Sequence, residues 1–263
     1  MSDWLHNLPV AWMALVVFGA SYLGAAAIYS LVMTLAVGER RLAFKGVSPG
    51  MLPPLGIIFG LLVAFLAAQV WGDLDRANAA VNREASALRA VVLLSASFPG
   101  EGEDRLRGLI QRHIQAVQRD EWPAMARRRA TLTMIPAPLA DALQATLTLT
   151  PHGEGQVIAQ REIVVALQNA LDARRQRILV SQSAVNWVKW MGLIIQAIGT
   201  LTAIAMVHSD NRLTAGLAMG LFSTAVAVCI LLIVAHDRPF TGQLSVQPAA
   251  LLQVQPESPV AEN

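Results

Sequence analysis

The chain has 263 residues, of which 54% are apolar and only 14% charged, with a formal charge of +2 and a mean hydropathy of +0.48. That balance is too oily for a water-soluble globule of this length and gives no charge excess for gripping phosphates, so no nucleic-acid partner is expected. A single cysteine, Cys229, excludes an intramolecular disulfide framework and a cysteine-based metal site.

Residues 4–38, 46–72, 190–209 and 213–236 contain no Asp, Glu, Lys or Arg. Each run reaches the roughly 20 residues that a helix needs to cross a bilayer. The first two predict a membrane hairpin over 1–72, with helices at 10–37 and 52–72. Ala25, Ala26 and Ala27 would suit a signal-peptide cleavage site, but Met1 to Pro9 has no Lys or Arg and the apolar run is too long, so the first helix is expected to be retained. In the second helix Gly56, Gly60 and Ala64 fall every four residues, a spacing that allows close helix packing. Another face carries Phe59, Leu62 and Leu66, the candidate apolar constriction should this helix line a pore.

Residues 73–186 hold most of the Arg, Asp and Glu, and their hydrophobic spacing is helical throughout. Leu74, Val81, Leu88 and Val92 follow the second span with no Pro or Gly before Phe98, so that helix is expected to run straight out of the membrane. Pro99 and Gly100 break it. A second helix over Glu103 to Glu121 aligns Leu106, Ile110, His113 and Val117 behind an acidic start, and Trp122-Pro123 ends it. His113 reads as a packed core histidine, and Arg127, Arg128 and Arg129 as a solvated face. After the Pro-bearing stretch Ile135 to Pro138, Leu139, Leu143 and Leu147 mark a short helix. Val157, Val164, Leu167, Leu171 and Ile178 mark a long one that is expected to enter the third span.

The second hairpin is predicted over 187–240, with helices at 187–208 and 213–236, and the tail 241–263 is expected to be partly disordered over its last nine residues. Gly216 and Gly220 repeat the small-residue spacing, and His208 and His236 fall at helix ends. Gln69, Gln196 and Thr200 are the conspicuous polar groups in the spans, and an interhelical hydrogen bond explains Gln196 and Thr200 as well as a permeation route does. Trp4, Trp12, Trp71, Trp187 and Trp190 sit at the edges of the runs, where an indole prefers the headgroup layer. Four spans put both termini and the soluble domain on one side. Arg76, Arg83, Arg174, Arg175, Arg177 and Arg238 against Arg40, Arg41, Lys45 and Arg212 favour the cytoplasmic face of the membrane. Arg83, Glu84, Arg174, Arg177, Asp237 and Arg238 lie near helix ends and form a candidate charge network at the membrane edge. Its functional reading is an anion or headgroup site, and its plain reading is mutual neutralisation.

The stretches Ala68-Gln69-Val70-Trp71, Val81-Asn82-Arg83-Glu84-Ala85 with Ala87-Leu88, Glu121-Trp122-Pro123, Asp172 through Arg177, and Asp237-Arg238-Pro239-Phe240 with Gly242 resemble the bacterial bestrophin-like membrane proteins. The resemblance covers residues 50–252. It implies a hairpin, a helical domain and a second hairpin, with a distant likeness to the pentameric bestrophin anion channels. The chain carries no acidic calcium-clasp run. The expected fold is therefore an all-α membrane protein, four transmembrane helices with a soluble helical bundle between the second and third. No P-loop, zinc-binding His pair or nucleophile–base pattern is visible, so neither an enzyme nor a cofactor is expected. Two functions remain: a homo-oligomeric channel or transporter for an anion, or a membrane-embedded sensor or scaffold whose helical domain binds a ligand or partner.

Overall fold

The structure, a computed structural model, describes residues 3–38, 43–44, 46, 49–133 and 136–254. Arg40, Arg41 and Lys45 of the orientation count, Ile135, and the last nine residues, expected to be disordered, lie outside the described residues. Every regular element described is helical: α1 (Asp3–His6), α2 (Val10–Leu35), a 3-10 turn (Pro49–Met51), α3 (Leu52–Ser95), α4 (Glu101–Ala116), a π-helical turn (Val117–Glu121), α5 (Trp122–Ala126), α6 (Ala137–Thr148), α7 (Glu154–Ser181), α8 (Trp187–Val207), α9 (Arg212–His236) and α10 (Ala249–Leu252). Among the described residues, α2, α3, α8 and α9 are the four helices long and apolar enough to cross a membrane. The charge-free part of α3 ends at Gly72, and its remainder, from Asp73, carries the charged residues of the soluble sequence.

The chain divides into two compact units. The membrane unit comprises Met1–Gly72, Ala184–Arg238 and Gly242–Leu244. α9 packs against α2 and α8. One apolar cluster joins Val17, Phe59, Leu66, Trp190, Leu193 and Ile233, and another joins Ala25, Val32, Leu201, Ile204 and Met219. Several polar groups in the spans find partners, as a lipid solvent requires. Thr200, Thr202 and Thr224 each donate to the carbonyl four residues back, Gln196 Nε2 donates to Leu55 O across helices at 3.1 Å, and Lys189 Nζ donates to Gln69. His208 and His236 donate through Nδ1 to Ile204 O and Leu232 O, each at 2.9 Å. Trp4, Trp12, Trp71 and Trp187 are exposed, whereas Trp190 is buried in the unit's core.

The soluble unit comprises Asp73–Ser183 and Pro239–Thr241, with the chain from Ser245 onward. Its core gathers Leu88, Leu106, Ile110, Ile114, Met125, Leu139, Ile163, Leu167, Ile178 and Phe240. Gly100 stands at φ +84, a left-handed conformation that glycine adopts without a Cβ penalty, and so turns the chain from α3 into α4. Glu101, Glu103 and Asp104 then meet the positive end of the α4 dipole.

Two local features differ from the periodicity. The helix expected to enter the third span stops at Ser181, and Asn186 starts α8 afresh by accepting from Val188 N at 3.1 Å. No Pro or Gly marks this break. In the soluble unit, Arg128 Nη2 donates to Gln182 O at 2.6 Å and Gln182 Nε2 donates to Ala130 O at 2.8 Å. In the membrane unit, Val185 N donates to Asp237 Oδ1 at 2.6 Å. These bonds replace the helical ladder. The helix expected to end at Glu121 instead ends at Ala116 and widens into the π-turn, because Pro123 has no N–H to continue the ladder.

Candidate functional site

The most concentrated chemistry lies inside the soluble unit. Glu84 on α3 and Arg177 on α7 are both fully buried, with exposures of 0%. Arg177 Nε donates to Glu84 Oε2 at 2.7 Å and Nη2 donates to Glu84 Oε1 at 3.2 Å, a bidentate fork. The same Nη2 reaches Glu121 Oε2 at 2.9 Å, and Arg174 Nε donates to Glu121 Oε1 at 2.7 Å. The π-turn aims Glu121 at both arginines. Arg177 Nη1 lies 3.3 Å from Met125 Sδ, and its guanidinium carbon sits 5.4 Å from the centre of the Trp122 ring, whose edge contact with Phe240 closes that side. His113, buried on α4, donates from Nε2 to Glu84 Oε1 at 3.0 Å, while its Nδ1 has no partner.

Charge arithmetic explains why such a cluster survives burial. Two carboxylates and two guanidiniums cancel; Glu84, Glu121 and Arg177 each meet two partners, and Arg174 meets Glu121. Burial pushes the Glu84 carboxyl toward protonation, but the charge of Arg177 and the hydrogen bonds from His113 and Arg177 outweigh it and hold the group below its ordinary range. Burial likewise disfavours charged Arg177, and Glu84 with Glu121 reverses this, raising its pKa. The Glu84–Arg177 pair therefore stays ionised, and the cluster ties together α3, α4, the π-turn and α7. Its bonds run between side chains of these elements and so lock them to one another.

The structure distributes the other residues of the candidate network. Arg83, one position from Glu84, points to the exposed face, donating to Gln176 Oε1 at 2.6 Å and to Ala79 O at 3.2 Å. There it lines an open cleft of about 560 Å³ with Glu162, Asn169, Asp172 and Gln176. Asp237 belongs to the membrane unit, where its carboxylate accepts from Val185 N and lies 3.4 Å from buried His6 Nε2. Arg238 also belongs to that unit. His113 and Glu121 complete the buried cluster and stand outside the residues selected from sequence. An acid just before Trp-Pro and a histidine on an apolar helix face were the available signals.

In the spans, Phe59 and Leu66 face inward with exposures of 5% and 3%, and the Phe59 ring stands 5.5 Å from that of Phe222. Leu62 is half-buried. Ile57, Leu61 and Phe65, again four residues apart, form the outward stripe at 62%, 53% and 72% exposure. A Cβ added at Gly56, Gly60, Gly216 or Gly220 would meet nothing within 4 Å, so these glycines make no close approach within the chain. Ala64 is exposed beside the α3 pair. No group of three or more His, Cys, Asp or Glu is arranged to hold a metal among the described residues.

These features define an all-helical membrane protein in which two hairpins of spanning helices flank a helical bundle with a buried ion cluster. The Bestrophin-like domain model matches residues 9–251, and the chain belongs to the bestrophin-like family. Among solved structures, crystal structures of two single-residue mutants of a bacterial Bestrophin homolog from Klebsiella pneumoniae match at 13% identity, with TM-scores of 0.66 and 0.65. The matches cover 94% of this chain and 97% and 96% of theirs, a likeness of fold along nearly the whole length. No curated protein sequence matches the chain.

Proposed function

We propose that the chain is the subunit of a homo-oligomeric anion channel or transporter of a bacterial inner membrane, with its soluble unit on the cytoplasmic side. The observation that carries the reading is the outward stripe of α3 taken with the family fold. Ile57, Leu61 and Phe65 are large, apolar and unpartnered in one chain, and repeat every turn. Several copies of α3 around an axis would make of them successive apolar rings, a constriction of the kind that gates by dewetting. In this arrangement Phe59 and Leu66 brace the helix from behind, and Leu62 flanks the ring. The open faces at Gly56, Gly60 and Ala64, and at Gly216 and Gly220, are where neighbouring copies would approach. The test is iodide or chloride flux in liposomes, with subunit number read by native mass spectrometry. Phe65→Ala should raise flux at unchanged stoichiometry. A monomer or dimer without flux overturns the proposal.

The ligand-binding sensor is the second reading, favoured by the open cleft in the soluble unit, where Arg83 faces Glu162, Asn169 and Asp172. A mixed-charge lining suits a small zwitterion better than a simple anion. A silent flux assay together with thermal stabilisation of the wild type by amino acids, lost in Arg83→Ala, would move the assignment to this reading.

A further inference from the structure

Arg127, Arg128 and Arg129, expected from sequence to form a solvated face, lie just past the end of α5. The helix closes in a Schellman turn. Arg129 N donates to Ala124 O at 2.8 Å, Arg128 N donates to Met125 O at 2.9 Å, and Arg128 takes the left-handed conformation at φ 55. Side chains then hold the loop. Arg128 Nη2 donates to Gln182 O, Gln182 Nε2 donates back to buried Ala130 O, and Thr241 Oγ1 donates to Ala126 O at 2.7 Å. The three arginines stay exposed outside this clamp. Residues 122–140, 178–188 and 239–256, which supply both sides of it, contain no other charged residue. The flanking acids are occupied, Glu121 by Arg174 and Arg177, and Asp237 by Val185 N. Among the described residues, the side chains of Arg127 and Arg129 have no partner. Mutual neutralisation, which accounts for Arg174 and Arg177, therefore does not account for this triplet.

The chain itself ties the loop to the membrane edge. Gln182 stands five residues before Trp187, where the third span begins, and Thr241 five residues after His236, where the fourth ends. Five residues reach at most about 18 Å, so two short tethers keep the loop near the headgroup layer, which the exposed Trp187 also marks. Leu132, three residues beyond Arg129, is exposed and adds an apolar side chain to the same loop. Guanidiniums beside an exposed aliphatic suit the boundary between phosphates and acyl chains. We propose that this loop is a docking site for anionic phospholipid. Arg127 and Arg129 take headgroup phosphates, Leu132 meets the edge of the acyl layer, and Arg128 with Gln182 holds the loop in position. The site rests on the membrane placement of the chain and is independent of the channel and sensor readings.

Hydrogen exchange of the full chain in nanodiscs tests this, with phosphatidylcholine alone compared with phosphatidylcholine containing phosphatidylglycerol of the same acyl chains. The peptide 127–133 should exchange several-fold more slowly with phosphatidylglycerol present, and high salt should remove the difference by screening the charges. Native mass spectrometry should show phosphatidylglycerol retained in preference to phosphatidylcholine. At roughly fivefold per arginine near an anionic surface, Arg127→Gln with Arg129→Gln should weaken that retention roughly 25-fold. Leu132→Ser should lower retention of both lipids and keep the preference. The exchange comparison uses the wild type alone and decides the matter even if a variant fails to fold. Equal exchange in the two nanodiscs, which would leave the loop solvated or covered by another protein surface, overturns the proposal. So does a phosphatidylglycerol preference that survives the double substitution. Protection by inorganic phosphate in pure phosphatidylcholine would assign the loop to a soluble anion and overturn it as well.

Discussion

Replacing Glu84 by Gln removes one charge from the buried cluster while nearly preserving its volume. Arg177, with no exposed surface, then depends on Glu121 alone, and His113 loses its charged acceptor. Breaking a buried ion pair from one side costs about 3–5 kcal/mol, because the remaining charge stays out of water. At about 2–4 °C per kcal/mol for a chain of this size, the unfolding midpoint in detergent should fall by roughly 6–20 °C. Circular dichroism and the temperature of aggregation both report it. The paired replacement Glu84→Met with Arg177→Met should recover most of the loss, since well-packed apolar side chains substitute for a buried pair at little cost. A fall below about 1 kcal/mol for Glu84→Gln, or a double variant as unstable as the sum of the two single ones, would refute this account of the cluster.

Acid should act on the same group. Because the folded-state pKa of Glu84 lies below its ordinary value of 4.5, its contribution is present above that value and lost as the pH falls below it. Thermal midpoints measured from pH 6 down to 3 should therefore drop in the wild type more steeply than in Glu84→Gln. Gly242→Ala should destabilise the membrane unit by about 1–2 kcal/mol from its φ of +91 alone, and more because a Cβ would stand 2.8 Å from His6 O; limited proteolysis should show the N-terminal segment loosened. A Cβ at Gly60 would meet no atom of the chain within 4 Å, so Gly60→Leu should change stability by less than about 0.5 kcal/mol, while native mass spectrometry should show fewer subunits per particle.

The spans were legible because a bilayer imposes a length and a composition together, and four uncharged runs satisfy both. Which side of each span faces its neighbours was not. Phe59 and Phe65 lie in one continuous apolar run, and only packing against Phe222 turns the first inward and leaves the second at 72% exposure. In the soluble unit, the spacing of Leu106, Ile110 and His113 identified the core face of α4. Glu84, Arg174 and Arg177 were selected from sequence, but their burial and their partners Glu121 and His113 escaped for a different reason. Arg177 and Glu84 are 93 positions apart, and an arginine with no exposed surface departs from the usual snorkelling habit. The break after Ser181 depends on hydrogen bonds that no local composition encodes, and Asn186, a good N-cap residue, was its one sequence signal.

The cluster also constrains how the soluble helices align. Apolar cores tolerate sliding, because one leucine fills a gap much as another does. A bidentate arginine does not. Moving α7 by one turn would place Ala173 or Ser181 where Arg177 now meets Glu84, leaving a fully buried carboxylate without its cation. Against a penalty of several kcal/mol, such a register is closed, whereas the alanines and leucines of α7 alone would leave it competitive. The double methionine variant separates the two roles, since it restores burial but not the fork. If register is what the charges secure, this variant should keep its midpoint yet unfold over a broader temperature range and exchange the amides of α7 faster than the wild type. A sharp transition with wild-type protection would assign the cluster to stability alone.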